Sequence, residues 1–423
     1  MLGGPLSWFS TNGEKMRSPR IKWTGFVGAF ALVGMSLLSA CGDNNSSSSI
    51  TQPQVNEKVT ESSSSVDEGS SVIVSEADEC RLGSKKFPEN YCCQYYGVQC
   101  TTTPKSSSSV ESSSSVASDV SAVWTGKMEM PKTQTIDGKS YMIIETAEEL
   151  AYFADQVTNK GNERLNARLV KNIRLNVDNM VDENGNLLVD ALTLNEWTPI
   201  GGGTNAVMYK GTFDGNGHRI SGIYVNKPSF QRAGFIGTLG GTTTSDSGFV
   251  KKLGIVNSYI VGNEQVGGIV GRENRGQIDR VFNRGSYVKG KYAGGIVGYQ
   301  VNGGRIIAAY NTGTIVSPTT RAAGIVGMKE SNAGVLLRSY NVGFIIAPSS
   351  GVAAGISTNN SSKNCFYAAQ SDKELKANGA TEKSKNFMAT NEFVSTLNGL
   401  ADGERWTRND NINNGFPIFD WEL

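Results

Sequence analysis

The sequence predicts an all-β fold built as a parallel β-helix, a solenoid, and three observations support this prediction. Fifty of the 423 residues are glycine and only 19% are charged, which excludes a coiled coil or a helical bundle because glycine is costly inside helices. A glycine-rich motif recurs every 27 to 34 residues, a spacing typical of solenoids. The short β-rich pieces between its copies show no helical periodicity. We therefore expect each period to form one circuit of a stacked coil.

The N-terminus predicts export and lipid anchoring. An apolar stretch at 23–40 follows three basic residues, which is the order found in a secretory signal. The stretch ends at Leu38-Ser39-Ala40-Cys41, which resembles the lipobox of bacterial lipoproteins and implies that Cys41 is lipidated. An ordinary signal peptide or a membrane-spanning helix is the alternative, but serine-rich sequence follows instead of a basic stop. We expect residues 1–40 to be the signal peptide, read from Met1 or Met16, and the outer membrane or cell surface to be the destination.

Serine-rich sequence follows in two segments, 41–79 and 101–123, which we expect to be disordered, flexible linkers. Between positions 46 and 121, 22 of 76 residues are serine, and so little apolar surface cannot offset the entropy of ordering. The intervening residues 80–100 contain Cys80, Cys92, Cys93 and Cys100. An even number of cysteines in an exported chain predicts a small knob with two disulfides, in any of three pairings. A metal site is the weaker interpretation because the segment has no CxxC pair. The aromatic residues of this knob either cover the disulfides or bind a ligand.

Residues 124–423 carry the repeats. Copies of the glycine-rich motif begin at Gly234, Gly267, Gly294, Ala323 and Ala354. A second motif, an aromatic residue followed by asparagine and a glycine two residues later, accompanies the middle three copies at Phe282-Asn283, Tyr310-Asn311 and Tyr340-Asn341. If the circuits stack about 4.8 Å apart, the asparagines form an inward hydrogen-bonded ladder at a corner. The aromatic rings then stack on the opposite face of the strand.

Together these motifs resemble those of the GLUG-repeat proteins, which are bacterial surface and exported proteins. The strings Trp197-Thr198-Pro199-Ile200-Gly201 and Gly211-Thr212-Phe213-Asp214-Gly215-Asn216-Gly217-His218 resemble the usual lead-in to the repeats. The resemblance extends from Ile144 to the C-terminus and implies a right-handed β-helix displayed at the surface, with no catalytic residue attached. The same repeats occur beside a peptidase in immunoglobulin-cleaving enzymes, whose zinc motif this sequence lacks.

Both ends of a solenoid need covering because open strand edges pair with other chains. The sequence Thr146-Ala147-Glu148-Glu149 predicts a capping box and a short helix that forms the N-terminal cap. A second short helix is predicted at 391–398, and the aromatic residues after it are expected to close the last circuit. Cys365 is interpreted as a small buried residue rather than a reactive thiol.

The acidic residues favour binding over catalysis. Glycoside hydrolysis requires two carboxylates at a defined separation, but only Glu264, Glu273, Asp279 and Glu330 lie between 250 and 357, and none recurs in register. The Asp214 to His218 string is interpreted as a turn in preference to a Ca²⁺ or substrate site. His218 is the single histidine, which removes most histidine-dependent catalysis and metal binding. We therefore expect no catalytic residue, no metal and no cofactor.

Residues 250–357 also contain twelve basic residues. Six of them are concentrated within one and a half periods: Arg272, Arg275, Arg280, Arg284, Lys289 and Lys291. One interpretation is an anion-binding patch for acidic polysaccharide, lipopolysaccharide phosphate or an acidic partner. The other is a solvated face that keeps the protein soluble.

The sequence thus favours a lipid-anchored protein that acts in non-catalytic adhesion or in recognition of a glycan, envelope or host-surface ligand. A polysaccharide lyase or glycosidase is the alternative, and a passive surface spacer is the third possibility. A net charge of +1 and the export signal both argue against nucleic acid as a partner. The ligand and the oligomeric state stay open.

Substitution Cys41→Ser tests the anchor. Each buried methylene of a lipid contributes about 0.8 kcal/mol, so loss of the acylated thiol should move the protein from the membrane to the soluble fraction. Cell fractionation followed by immunoblotting measures this change, with Cys80→Ser as the control that stays in the membrane. Membrane retention of the Cys41→Ser protein would refute lipidation.

Overall fold

The structure is a computed structural model that describes residues 120–202, 207–243, 245–359, 362–403 and 405–423. The predicted signal peptide, the linker 41–79 and the cysteine knob lie outside the described residues, as do Cys41, Cys80, Cys92, Cys93 and Cys100. Strand β1 (Val120–Val123) lies within the last residues of the predicted linker 101–123 and pairs with residues 172–174. The described sheet therefore begins before the expected boundary at Trp124. In the described ranges no helix is long and apolar enough to cross a membrane.

The N-terminal part of the fold combines a hairpin with one helix. Its further elements are β2 (Lys132–Ile136), β3 (Lys139–Ile144), α1 (Ala147–Thr158), β4 (Asn166–Leu169) and β5 (Asn172–Arg174). The predicted capping box is confirmed, because the Thr146 hydroxyl accepts a hydrogen bond from the Glu149 N–H at 3.2 Å and the Glu149 carboxylate accepts one from the Thr146 N–H. One face of α1, with Leu150, Phe153 and Val157, is buried in the main core.

Five repeat units follow within the described residues, and the chain makes its strands in the same order in each. Unit 1 contains β6 (Thr212–Asp214), β7 (Arg219–Ser221), β8 (Tyr224–Lys227), β9 (Arg232–Ala233) and β10 (Ile236–Gly240). Unit 2 contains β11 (Phe249–Val256), β12 (Tyr259–Gly262), β13 (Gln265–Gly267) and β14 (Val270–Asn274). Unit 3 contains β15 (Gln277–Arg284), β16 (Tyr287–Lys289), β17 (Tyr292–Gly294) and β18 (Val297–Val301).

Unit 4 repeats this order, unit 5 has only an isolated bridge at Ser357 in place of its last strand, and a C-terminal region follows them. Unit 4 contains β19 (Arg305–Asn311), β20 (Thr314–Val316), β21 (Arg321–Ala323) and β22 (Val326–Lys329), and unit 5 contains β23 (Val335–Leu337), β24 (Tyr340–Asn341), β25 (Ile345–Ile346) and β26 (Val352–Ala354). The C-terminal region contains β27 (Phe366–Ala368), β28 (Thr381–Lys383), α2 (Lys385–Met388), α3 (Asn391–Leu400), β29 (Trp406–Thr407) and β30 (Ile418–Phe419). Short 3₁₀ turns lie at Ala191–Thr193, Asn413–Gly415 and Asp420–Glu422.

Strands of successive units pair in parallel, so the predicted β fold with parallel strands is confirmed. We name the four sheets that the units form by the strands of unit 2: sheet I contains β11, sheet II β12, sheet III β13 and sheet IV β14. Sheet I also includes the antiparallel hairpin β2–β3. Each pairing is in register, so residues of the same kind stack from unit to unit, as Ile260, Val288 and Ile315 do in sheet II. The main core contains buried aliphatic residues from all four sheets and therefore lies between them.

The asparagine ladder predicted from the second motif is confirmed. The Asn283 amide donates to Asn311 at 2.9 Å and the Asn311 amide donates to Asn341 at 2.8 Å, and all three side chains are buried. This ladder explains one glycine of the first motif. A Cβ at Gly295 would lie 2.5 Å from the Asn311 amide carbon and 2.1 Å from a backbone oxygen of the next unit. Only glycine fits where the ladder and the neighbouring chain approach so closely.

The aromatic stack is also confirmed, on the other face of the same strands. The rings of Phe282 and Tyr310 lie 4.9 Å apart and those of Tyr310 and Tyr340 5.2 Å apart, with interplanar angles of 6° and 5°. The expectation that the C-terminal aromatics close the last circuit was wrong. They cover this outward-facing stack instead, in a second cluster that includes Phe393, Trp406 and Phe419. An exposed column of three rings is unfavourable in water, and the aromatic C-terminus buries it.

Substitution Asn311→Ala should destabilise the protein by about 2–4 kcal/mol, because it removes the buried hydrogen bonds to Asn283 and Asn341 as well as two to the Gly313 backbone. It also leaves the buried Asn283 amide group without the acceptor that Asn311 provides. Chemical denaturation followed by circular dichroism measures the change. Asn332→Ala is the matched control, since Asn332 donates to Asn302 in an exposed pair and should cost less than about 0.5 kcal/mol. Equal losses in the two variants would contradict a structural role for the buried ladder.

Candidate ligand-binding groove

The C-terminal segment 411–423 and the strands of sheet I enclose a cleft with a volume of about 440 Å³. Strands β5 and β7 form one wall and the ends of β11 and β15 form the floor, while residues 411–413 and Glu422 form the other wall. The lining is mainly polar: Asn172, Arg174, Asp178, Arg219, Ser221, Asn257, Arg284, Asn411, Asn413 and Glu422, with Val120, Val256 and Ile412.

A second cleft of about 210 Å³ continues the first, because both are lined by Asn172, Arg219 and Glu422. It adds His218 and the indole of Trp421, whose ring centroid lies 5.9 Å from that of Phe282. We call the two clefts together the C-terminal groove. An aromatic ring beside amide and guanidinium groups can contact both the apolar face and the hydroxyls of a sugar.

Three arginines give the groove its electrostatic character. Arg174 pairs with Asp178 at 3.1 Å, and its Nε is buried without a hydrogen-bond partner. Arg284 lies over the ring of Phe282 at 4.9 Å and pairs with Glu422 at 3.1 Å. Arg219 is exposed on β7 at the junction of the two clefts. Arg174 and Arg284 are thus each paired with a carboxylate, and Arg219 adds a third guanidinium group beside Leu423, the last residue of the sequence. Guanidinium groups can form charge-assisted hydrogen bonds with an anionic ligand.

Glu422 joins the groove to the aromatic stack. Its carboxylate accepts hydrogen bonds from the Tyr310 hydroxyl at 2.7 Å and from the Phe419 N–H at 2.8 Å. Burial raises the pKa of Glu422 to about 7, although the Arg284 guanidinium and the Tyr310 hydroxyl oppose the shift. At neutral pH the groove therefore contains a carboxyl group that is partly protonated.

The six basic residues predicted as a patch do not form one surface. Arg272 lies on sheet IV, Arg275 in the turn after it, Arg280 and Arg284 on sheet I, and Lys289 and Lys291 at the end of sheet II. The four sheets face different directions around the core, so residues close in sequence are distributed over several faces. Three also have acidic partners: Arg280 pairs with Asp279, Arg284 with Glu422 and Lys291 with Glu264. Of the six, Arg284 alone lines the groove.

Two other candidate sites, the Asp214 to His218 string and Cys365, have the structural roles that the sequence predicted. The Asp214 carboxylate accepts from the Asn216 N–H at 2.9 Å, and Asn216 has a φ of 52°, so this string is a turn. Asp214 also pairs with Arg168 and Lys251 at 3.4 and 3.3 Å. Cys365 is 1% exposed, and burial raises the pKa of its thiol to about 12. Among the described residues, no group of three or more His, Cys, Asp or Glu side chains is placed to hold a metal ion.

Comparison with known proteins gives partial matches. Halomucin of Haloquadratum walsbyi is 38% identical over 100 residues, or 24% of this chain and 1% of halomucin. A candidate Gly-rich membrane protein of Evansella cellulosilytica is 31% identical over 141 residues, or 33% of this chain and 14% of that protein. The chain thus spans a small part of these relatives. A solved candidate immunoglobulin A1 protease from Bacteroides ovatus aligns with a TM-score of 0.48 and 19% identity, covering 70% of this chain and 96% of that one. No family profile matches the chain.

Substitution Glu422→Gln should change how stability depends on pH. Because the pKa is raised, the folded protein retains a proton on Glu422 that the unfolded chain releases above pH 4.5. The contribution of Glu422 to stability is therefore fully present below pH 4.5 and is lost as the pH rises through about 7. The free energy of unfolding of the wild type should therefore fall by up to about 3 kcal/mol relative to that of the variant between pH 4.5 and pH 7. Denaturation midpoints measured at several pH values test this, and parallel pH profiles would contradict it.

Proposed function

We propose that this chain is an exported, lipid-anchored protein of the bacterial outer membrane or cell surface that acts in non-catalytic adhesion, binding an anionic glycan in the C-terminal groove. In this proposal units 1–5 form a right-handed parallel β-helix and α1 covers its N-terminal end. The in-register parallel pairing of successive units and the buried face of α1 support that architecture. The lipobox at Cys41 and a partial relative named as a membrane protein support the location.

The single observation that carries the proposal is the chemistry of the groove. Arg174, Arg219 and Arg284 line it together with five asparagine residues and Trp421. Guanidinium groups form charge-assisted hydrogen bonds with carboxylates, and amides donate to and accept from hydroxyls. A uronic-acid chain offers both groups along an extended polymer. The groove is open along the flank of sheet I, which suits a long ligand better than an enclosed small molecule.

The serine-rich linkers fit this role. A flexible tether between the lipid at Cys41 and the repeats would let each copy reorient toward a surface. Many anchored copies that bind one polymer weakly would together attach strongly, because each further contact is made at a high effective concentration.

A carbohydrate-active enzyme is the second candidate, and one observation favours it. Asp178 and Glu422 both line the groove, which gives it two carboxyl groups, and the raised pKa of Glu422, about 7, suits a general acid. In the binding proposal the same carboxyl group holds Arg284 and Tyr310 in place.

Substitutions Arg174→Ala and Arg219→Ala should each weaken binding to polygalacturonate by about 10-fold, since each removes a charge-assisted hydrogen bond. Binding is measured by isothermal titration calorimetry, with dextran as the neutral polymer and Lys289→Ala on sheet II as the control variant. Added salt should weaken the interaction of the wild type.

The outcomes separate the three functions. Equal binding by the wild type and both groove variants would remove the groove from the proposal. Release of reducing ends or unsaturated products, abolished in Glu422→Gln, would establish the enzyme instead. No saturable binding to polygalacturonate or to isolated cell-envelope fractions would leave the passive spacer.

A further inference from the structure

Three polar residues on neighbouring strands of sheet IV form a buried column, away from the C-terminal groove. Glu273 on β14 is in register with Gln300 on β18, which is in register with Lys329 on β22. Unit 1 has Leu239 at the same position, so the column replaces an apolar residue of the core. The side chains of Glu273 and Gln300 have no exposed surface, and Lys329 is 2% exposed. Adjacent strands of a sheet lie about 4.8 Å apart, so the three functional groups are neighbours.

The polar atoms of these three side chains make few hydrogen bonds. Neither oxygen of the Glu273 carboxyl group has a partner with hydrogen-bond geometry, nor does either polar atom of the Gln300 amide. The Lys329 amine has one long contact, 3.4 Å to the carbonyl oxygen of Ala333. Gly304 covers the carboxyl group, since a Cβ there would lie 1.8 Å from one of its oxygens. Three buried polar groups in one column, mostly without partners, are costly unless they perform a task.

The protonation states in this column suit one reaction. Burial raises the pKa of Glu273 to about 8; the Gln300 amide and the Gly276 N–H approach it without good hydrogen-bond geometry and oppose the shift only partly. Burial lowers the pKa of Lys329, with the Glu273 charge acting in the opposite direction. A neutral carboxylic acid and an amine with a lowered pKa therefore lie on either side of a primary amide.

We propose that Lys329 and Gln300 form an intramolecular isopeptide bond after folding, with Glu273 as the general acid and base. The neutral Nζ of Lys329 attacks Cδ of Gln300 while the Glu273 carboxylic acid donates a proton to the amide. The Nζ–Cδ bond forms and the Cδ–Nε2 bond breaks. The proton lost by the amine returns to Glu273, and the amide nitrogen leaves as ammonia. The reaction needs no oxidant, no cofactor and no other protein.

This bond would link β18 to β22 covalently across the stack, within the core. It would close a loop between positions 300 and 329 and restrict the unfolded chain as a disulfide does. Unlike a disulfide, it would resist reduction. The burial of all three groups would exclude water, which otherwise competes with the amine for the activated amide.

Peptide mapping of the purified full-length protein tests the bond. In an unlinked protein, trypsin releases residues 292–305 with Gln300 and residues 322–329 with Lys329 at the cleavage site. A bond at Lys329 blocks that cleavage and joins 292–305 to 322–338, with a mass about 17 Da below the sum of the two peptides because ammonia is lost. Tandem mass spectrometry identifies the linked pair. Complete release of linear 292–305 and 322–329 from folded protein would overturn the proposal.

Three variants assign the roles. Lys329→Arg retains the positive charge but lacks the nucleophile, so the linked peptide should disappear. Glu273→Gln preserves the shape of the column and should slow bond formation by about 100-fold, measured as the linked fraction against time after refolding. Lys289→Arg is the control for lysine replacement and should leave the linkage intact. Unchanged linkage in folded Glu273→Gln would remove Glu273 from the reaction, and linkage in Lys329→Arg would refute the assigned nucleophile. If either variant fails to fold, the wild-type peptide map alone decides whether the bond exists.

Discussion

The whole described fold depends on residue-for-residue parallel pairing between successive units. This register brings Asn283, Asn311 and Asn341 into one hydrogen-bonded column and requires glycine where the next unit approaches it most closely. The same register aligns Phe282, Tyr310 and Tyr340 on the opposite face. A shift of one residue would exchange the two faces, exposing the aliphatic core residues and burying charged ones. Register therefore specifies both the interior and the surface on which the C-terminal segment packs.

The C-terminal segment turns an apolar flank into a polar groove. Its aromatic residues bury the ring column, and its final turn places Glu422 opposite Arg284. The groove thus combines residues from the N-terminal part of the fold, from units 1, 2 and 3 and from the end of the chain. The wall formed by the C-terminal segment can vary without change to the repeats, which supply the floor and part of the other wall.

The sequence predicted the repeated features and missed those that occur once. The asparagine and aromatic columns were predictable because the same residue types recur in phase. Arg174 and Glu422 lie in parts of the chain that do not repeat, and Arg219 of unit 1 is in register with a glycine, Gly254, in unit 2. Tertiary folding alone brings the three together. Glu273, Gln300 and Lys329 do follow the period, but their residue types differ, and charged residues are normally expected at the surface. The prediction of one basic patch was wrong because the six residues are close in sequence but lie on different sheets.

The path of the C-terminal segment also affects cooperativity. In an array where each unit touches only its neighbours, the terminal unit can fray while the others stay folded. Here Phe393 packs on Tyr340 of unit 5, while Trp421 packs on Phe282 of unit 3 and beside Gly217 of unit 1. Loss of the last unit would release the segment from the earlier ones as well. The C-terminal segment thereby links unit 5 to units 3 and 1. The units should therefore unfold in a single transition instead of one after another.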